Sequence, residues 1–225
     1  MSENNTEQTQ VPVVVTVAEI FKKDLETKLW ITRGARFVAS DRFASKNNLS
    51  GWAVGCLSAY LIILSLLSAY KLDINLSNGA LSFTSTSVSI LVLMFSQMEI
   101  SGDYKVWSKS FHQCALEVSE IYNNYKLYKN LSYTQNIDEL AFIQGIVTQY
   151  ENILKKYENH KPVDYEYFQC NKPSEFGINL IQVLFRRINY FIQGSFIYYA
   201  LIFLPPILFF LLVYFLPQTP QPVLK

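Results

Sequence analysis

Charge is scarce in this chain. Lys, Arg, Asp and Glu make up 16% of its 225 residues, where an ordinary soluble domain carries about 25%. Three long stretches hold none at all: between Lys46 and Lys71, between Asp73 and Glu99, and between Arg187 and Lys225. The first two are each long enough to cross a hydrocarbon core of about 30 Å as a helix rising about 1.5 Å per residue. Cysteine is rare too. Cys56, Cys114 and Cys170 are far apart and odd in number, which argues against a disulfide framework and offers no metal-ligand spacing. There is no glycine-rich phosphate loop, dinucleotide fingerprint, zinc spacing or nucleophile elbow. No catalytic residue, metal ligand or cofactor is therefore assigned, and the chain is not expected to be an enzyme. Only two histidines occur, His112 and His160. His160 stands near Asp164 as an acid–base pair would, but loop-to-helix hydrogen bonding accounts for Asn159, His160 and Asp164 without chemistry.

What is present is apolar and aromatic, with 16 Phe and 15 Tyr. GWAVGCLSAYLIILSLLSAY and ALSFTSTSVSILVLMFSQME flank the short link KLDINLSNG, so residues 51–98 read as a transmembrane hairpin. In the first span Gly51 and Gly55 form a small-xxx-small pair suited to close helix packing. The second carries a stripe at three- and four-residue steps: Ser82, Ser85, Ser89, Val92, Ser96 and Glu99. Such hydroxyls can bond their own helix's carbonyls and simply pack. They can also line water, with Glu99 at the mouth. Two spans cannot enclose a path, so a pore requires several copies about an axis.

Around the hairpin, residues 1–15 read as a disordered polar tail without a secretory signal. Residues 16–50 form an amphipathic pre-membrane helix, continuous or broken near Gly34, with Arg33, Arg36, Arg42 and Lys46 interleaved with Phe37 and Phe43. Residues 99–187 are a helical region. Trp107, Phe111, Cys114, Val118, Ile121, Tyr125 and Tyr128 mark one helix continuing from the membrane, and Ile137 to Asn159 a second packed antiparallel to it. HKPVDYEYFQCNKPSEFG reads as a loop with at most one short turn, followed by a helix from Ile178. Residues 188–216 are a membrane segment with Pro205–Pro206 near the middle. A proline-kinked span is favoured over a re-entrant segment. Residues 217–225 are a tail. The fold class is an all-α membrane protein with an N-terminal transmembrane hairpin, a cytosolic helical bundle and a third, C-terminal transmembrane helix. Lys and Arg number seven in residues 1–50 and ten in 99–187, with one in the link and one in the tail. The positive-inside rule therefore puts the N-terminus and 99–187 in the cytoplasm.

The order of a basic, aromatic pre-membrane helix (TRGARFVASDRFASKNN), a tight two-span hairpin, and a Tyr-rich helical region ending in YENHKPVDYEYF resembles the SLATT family of two-transmembrane effectors over residues 15 to 190. That resemblance implies an oligomeric effector of the bacterial inner membrane, acting in anti-phage defence by abortive infection. It would be a pore or ion channel gated by a nucleotide second messenger. The implied partners are membrane lipid, further copies of the chain, a nucleotide or short oligonucleotide signal, and a functionally linked nucleotidyltransferase. No duplex nucleic acid is expected. Phosphates need cations and bases need aromatic platforms. One candidate ligand set is then Arg33, Arg36, Arg42 and Lys46. The other is Lys105, Lys109, Lys126 and Lys129 with Trp107, Tyr122, Tyr125 and Tyr128. Ser82, Ser85, Ser89, Ser96 and Glu99 are the candidate pore lining. The rival expectation is a non-conducting membrane scaffold that recruits a cytosolic enzyme through a surface of Tyr122, Tyr125 and Tyr128.

Overall fold

The computed structural model of the chain describes residues 17–70, 78–131 and 138–215. The expectations for the N-terminal tail, most of the hairpin link, the NLSYTQN turn, the C-terminal tail and the Glu99 side chain fall outside the described residues. Among the described residues eight helices follow in order: α1 (Val17–Ala69), α2 (Asn78–Gly102), α3 (Tyr104–Leu131), α4 (Glu139–Lys156), α5 (Pro162–Cys170), α6 (Pro173–Phe176), α7 (Leu180–Gly194) and α8 (Phe196–Phe215).

α1 is the axis of the molecule. Its 53 residues contain no proline and form one unbroken helix about 80 Å long at the usual rise. Gly34 does not break it; a side chain there would collide with the ring of Phe168. The glycine serves a close approach of α5. α3 runs antiparallel along the outer part of α1, as successive contacts show. Ser40 and Ser108 exchange hydroxyl-to-carbonyl bonds of 3.0 and 3.1 Å, Arg33 lies over Tyr122, and the Tyr125 hydroxyl donates to the Lys22 carbonyl. The core of this extramembrane bundle joins Leu25 and Leu29 of α1 to Cys114, Val118, Ile121, Tyr122 and Tyr125 of α3 and to Ile143 and Ile146 of α4. Each such side chain contributes about 1.5–3 kcal/mol on burial.

α2 is a helix separate from α3, where one helix continuing out of the membrane is the sequence expectation. Asp103 between them takes a left-handed φ of 43°, which ends the i to i−4 ladder. The prolines of HKPVDYEYFQCNKPSEFG also act differently from expectation. Pro162 and Pro173 occupy the opening positions of α5 and α6, where the missing N–H is an orphan in any helix. The segment is two helices rather than a loop.

Among the described residues three helices are long and apolar enough to cross a membrane: the inner part of α1, Leu81–Met98 of α2, and α8. They share a second core of Ala53, Leu57, Leu64, Val88, Tyr198 and Leu201. Large apolar side chains such as Ile62, Phe83, Leu93, Phe203 and Phe210 stay exposed around it, as lipid-facing residues do. α8 remains helical through Pro205–Pro206. Pro206 cannot donate to the carbonyl of Ile202 four residues earlier, and the Tyr60 hydroxyl from α1 donates to that carbonyl at 2.8 Å. The carbonyl that Pro206 leaves without a donor is thus satisfied within the protein, as a spanning helix in hydrocarbon requires.

Candidate functional site

Two sites can be built from the residues upward, a buried polar clamp and an open cleft. Both use the outer half of α1.

The clamp is made by YENHKPVD. α4 stops at Lys156 and α5 starts at Pro162, so these residues wrap across α3 and α1. The Tyr157 hydroxyl and Lys156 ammonium both donate to Glu117 of α3, at 2.7 and 2.8 Å. Burial alone would raise the Glu117 carboxyl, but the bonds from Lys156, Tyr157 and Gln113 outweigh it and hold it below its ordinary value. Arg36, fully buried, donates from Nη2 to Asn159 Oδ1 at 3.1 Å and lies 5.5 Å from the centre of the Phe111 ring. Its Nε and Nη1 are buried without a hydrogen-bond partner, as is Nδ1 of His160. Burial, and then the neighbouring Arg36 charge, push the His160 imidazole below its ordinary value, so it sits neutral near pH 7. Arg42 makes a two-pronged ion pair with Asp164, at 2.6 and 2.9 Å, with both side chains buried. The same carboxylate accepts the Lys161 backbone N–H at 3.0 Å and caps α5. Asp164 is therefore paired with Arg42, not with His160. The Tyr190 hydroxyl beside it is pushed up strongly, by burial first and by the Asp164 charge second.

The cleft opens where α1, α3 and α4 meet, well outside the apolar spans. It encloses about 770 Å³ and is lined by Trp30, Tyr122, Tyr125 and Tyr128 together with Lys22, Lys23, Lys126 and Lys129. Acids share it: Glu26 pairs with Lys129 at 2.8 Å and Glu139 pairs with Lys22. Lys126 lies 4.8 Å over the Tyr122 ring, and Arg33 lies 4.6 Å from the same ring, so two cations stand against Tyr122.

The candidate residues thus separate. Tyr122 and Tyr125 reach the cleft, although both are largely buried in the bundle core. They cannot form the exposed docking surface that the scaffold expectation needs, because their ring faces pack on α1; Tyr128 stacks on Phe142 at 4.0 Å. Arg33 stands behind Tyr122. Arg36 and Arg42 belong to the clamp. Lys46 lies 5.9 Å over Tyr104. Lys105 and Lys109 are exposed on α3 and do not line the cleft. Trp30, Lys22 and Lys23 escaped sequence reasoning, because nothing local to α1 reveals which face α3 and α4 leave open. On α2, Ser82 and Ser89 are exposed and Ser85 and Ser96 partly so. The Ser89 hydroxyl donates to the Ser85 carbonyl at 2.8 Å. Thr84 and Ser87 instead face an apolar groove of about 580 Å³ shared with α8.

Residues 19–212 match the profile of the SMODS and SLOG-associating 2TM effector domain family 5. The chain belongs to this family. The match takes in both cores, the clamp, the cleft and most of α8, so this SLATT chain carries three span-length apolar helices within its family domain. No curated protein and no solved structure matches the chain.

Proposed function

We propose that the protein is a homo-oligomeric membrane effector of anti-phage defence, a pore or ion channel opened or closed by a nucleotide signal at the α1–α3–α4 cleft. The observation that carries this reading is the continuity of α1. One helix lines the cleft with Lys22, Lys23 and Trp30, takes part in the clamp with Arg36 and Arg42, and supplies the first span to Ala69. A ligand that binds two positions of the bundle with different affinity would shift that rod, and with it the membrane helices. The cleft offers aromatic edges for a base and lysines for phosphates, which enter by displacing Glu26 and Glu139 from their partners. Ser82, Ser85, Ser89 and Ser96 line the path when several copies surround an axis, with Glu99 toward its inner end. The bundle faces the cytoplasm of a bacterial cell, in keeping with the excess of Lys and Arg outside the spans. The family's association with SMODS fits a neighbouring nucleotidyltransferase as the source of signal.

Ion flux from liposomes containing the purified protein tests this directly. Cyclic dinucleotides and short cyclic oligonucleotides should change the flux, and Ser85→Leu with Ser89→Leu should abolish it. Wild-type protein that never conducts, with or without those nucleotides, would remove the pore reading. The rival scaffold is disfavoured by the burial of Tyr122 and Tyr125.

A further inference from the structure

The foot of the clamp holds more positive charge than its one buried acid can balance. Arg42 takes both oxygens of Asp164, and the Lys161 backbone N–H bonds the same carboxylate. Lys46 stands one helical turn beyond Arg42 on α1. Among the described residues neither the Lys46 nor the Lys161 ammonium has an ion-pair partner. Lys46 is half-buried. Its ammonium is pushed below its ordinary value, by burial first and then by the charges of Arg42 and Lys161, with Asp164 acting in the opposite sense. Like charges gathered at a half-buried place favour an anion between them.

Directly beside these cations lies an apolar slot. A pocket of about 170 Å³ opens between α1, α2 and α8, with Ser50, Val54, Phe95, Met98 and Ile197 among its walls. The Tyr104 ring belongs to both features: it lines the pocket, and Lys46 Nζ lies 5.9 Å from its centre. The heights match a bilayer surface. Ser50 follows Lys46 by about 6 Å along α1 at the helical rise, and the headgroup layer outside the hydrocarbon core is about 5–7 Å thick on each side. When the apolar run after Ser50 sits in hydrocarbon, the Lys46 and Lys161 ammoniums stand among lipid phosphates.

We propose that Lys46 and Lys161 bind the headgroup phosphate of an anionic phospholipid, with one of its acyl chains in the pocket beside Tyr104. Charge selects the headgroup, because two unpaired ammoniums favour a lipid of net negative charge over a zwitterionic one. The apolar slot selects a lipid over a free phosphate, which brings nothing to fill it. The bound phosphate spans α1 and the connector that opens α5, and so ties the foot of the clamp to the first span at the membrane surface. The site is independent of the channel and nucleotide readings, since its test reads lipid retention rather than flux.

The test uses full-length protein purified in detergent and exposed to either phosphatidylglycerol or phosphatidylcholine of the same acyl chains, with retained lipid counted by native mass spectrometry. Phosphatidylglycerol should stay bound at one per chain through delipidation, and phosphatidylcholine should wash away. Lys46→Gln with Lys161→Gln should weaken phosphatidylglycerol binding about thirtyfold. Lys105→Gln with Lys109→Gln, which removes as much exposed charge from α3, should leave it unchanged. Glycerol 3-phosphate, the headgroup chemistry without the chains, should not displace the lipid, and Val54→Trp, which fills the slot, should weaken it. Equal retention of the two lipids, retention that survives loss of Lys46 and Lys161, an equal loss in the α3 variant, or displacement by glycerol 3-phosphate would each overturn the site.

Discussion

The two halves of α1 live under different rules. The outer half is enclosed by α3, α4 and α5 and holds two buried arginines, each with a named partner on the YENHKPVD connector. The inner half touches α2 and α8 through apolar side chains and through the hydrogen bond from the Tyr60 hydroxyl to the Ile202 carbonyl. Buried charge pairs tolerate one arrangement, because a displaced partner leaves an uncompensated ion. Apolar contacts among lipid-exposed helices tolerate many, because lipid tails are as apolar as the neighbours they replace. The outer half is thus built to hold one geometry and the inner half to exchange neighbours, a division that suits a sensor joined to an assembling membrane part.

The largest break in this contrast comes from the clamp. Asp164→Ala leaves Arg42 buried and unpaired and also removes the α5 cap, and should destabilise the bundle by about 3–5 kcal/mol, read from urea unfolding in detergent. Arg42→Met with Asp164→Leu should recover most of that loss, because it removes the charge as well as its partner. A smaller effect sits in the membrane half. Tyr60→Phe leaves the Ile202 carbonyl without a donor and should cost about 1–3 kcal/mol. Pro206→Ala restores a backbone donor to that carbonyl, so in its presence Tyr60→Phe should cost little. Equal costs in both backgrounds would contradict the account of α8.

The smallest effect is one of pH. His160 titrates below its ordinary 6.5 in the folded protein, so the unfolded chain takes up this proton first as pH falls. Its contribution to stability is complete above 6.5 and is lost as pH drops from there through the folded value. Glu117, held low, adds a loss of the same sign in its own more acidic range. His160→Gln should flatten the first part of the stability profile and leave the second; an unchanged profile would show that His160 is not the group responsible.

Much of the architecture is legible in the chain because long charge-free runs and helical periodicity are local signals. The spans, the α3 face and the family layout follow from them. Pairings across more than a hundred residues are not local. Arg36 and Arg42 look like free cations in TRGARFVASDR, and only folding brings Asn159 and Asp164 to them. Pro162 and Pro173 look like loop residues because proline both ends helices and begins them. Tyr122 and Tyr125 look like an exposed aromatic face because a core stripe and a surface stripe have the same period.

On the proposed function, α1 carries a signal from the cleft to the membrane. Four glycines inserted between Asn47 and Asn48 would uncouple its halves while leaving cleft, clamp and spans in place. Nucleotide-dependent flux in liposomes, measured beside nucleotide binding to the same protein, tests the claim. Binding should persist and its effect on flux should vanish. Flux that still follows the nucleotide would contradict the account.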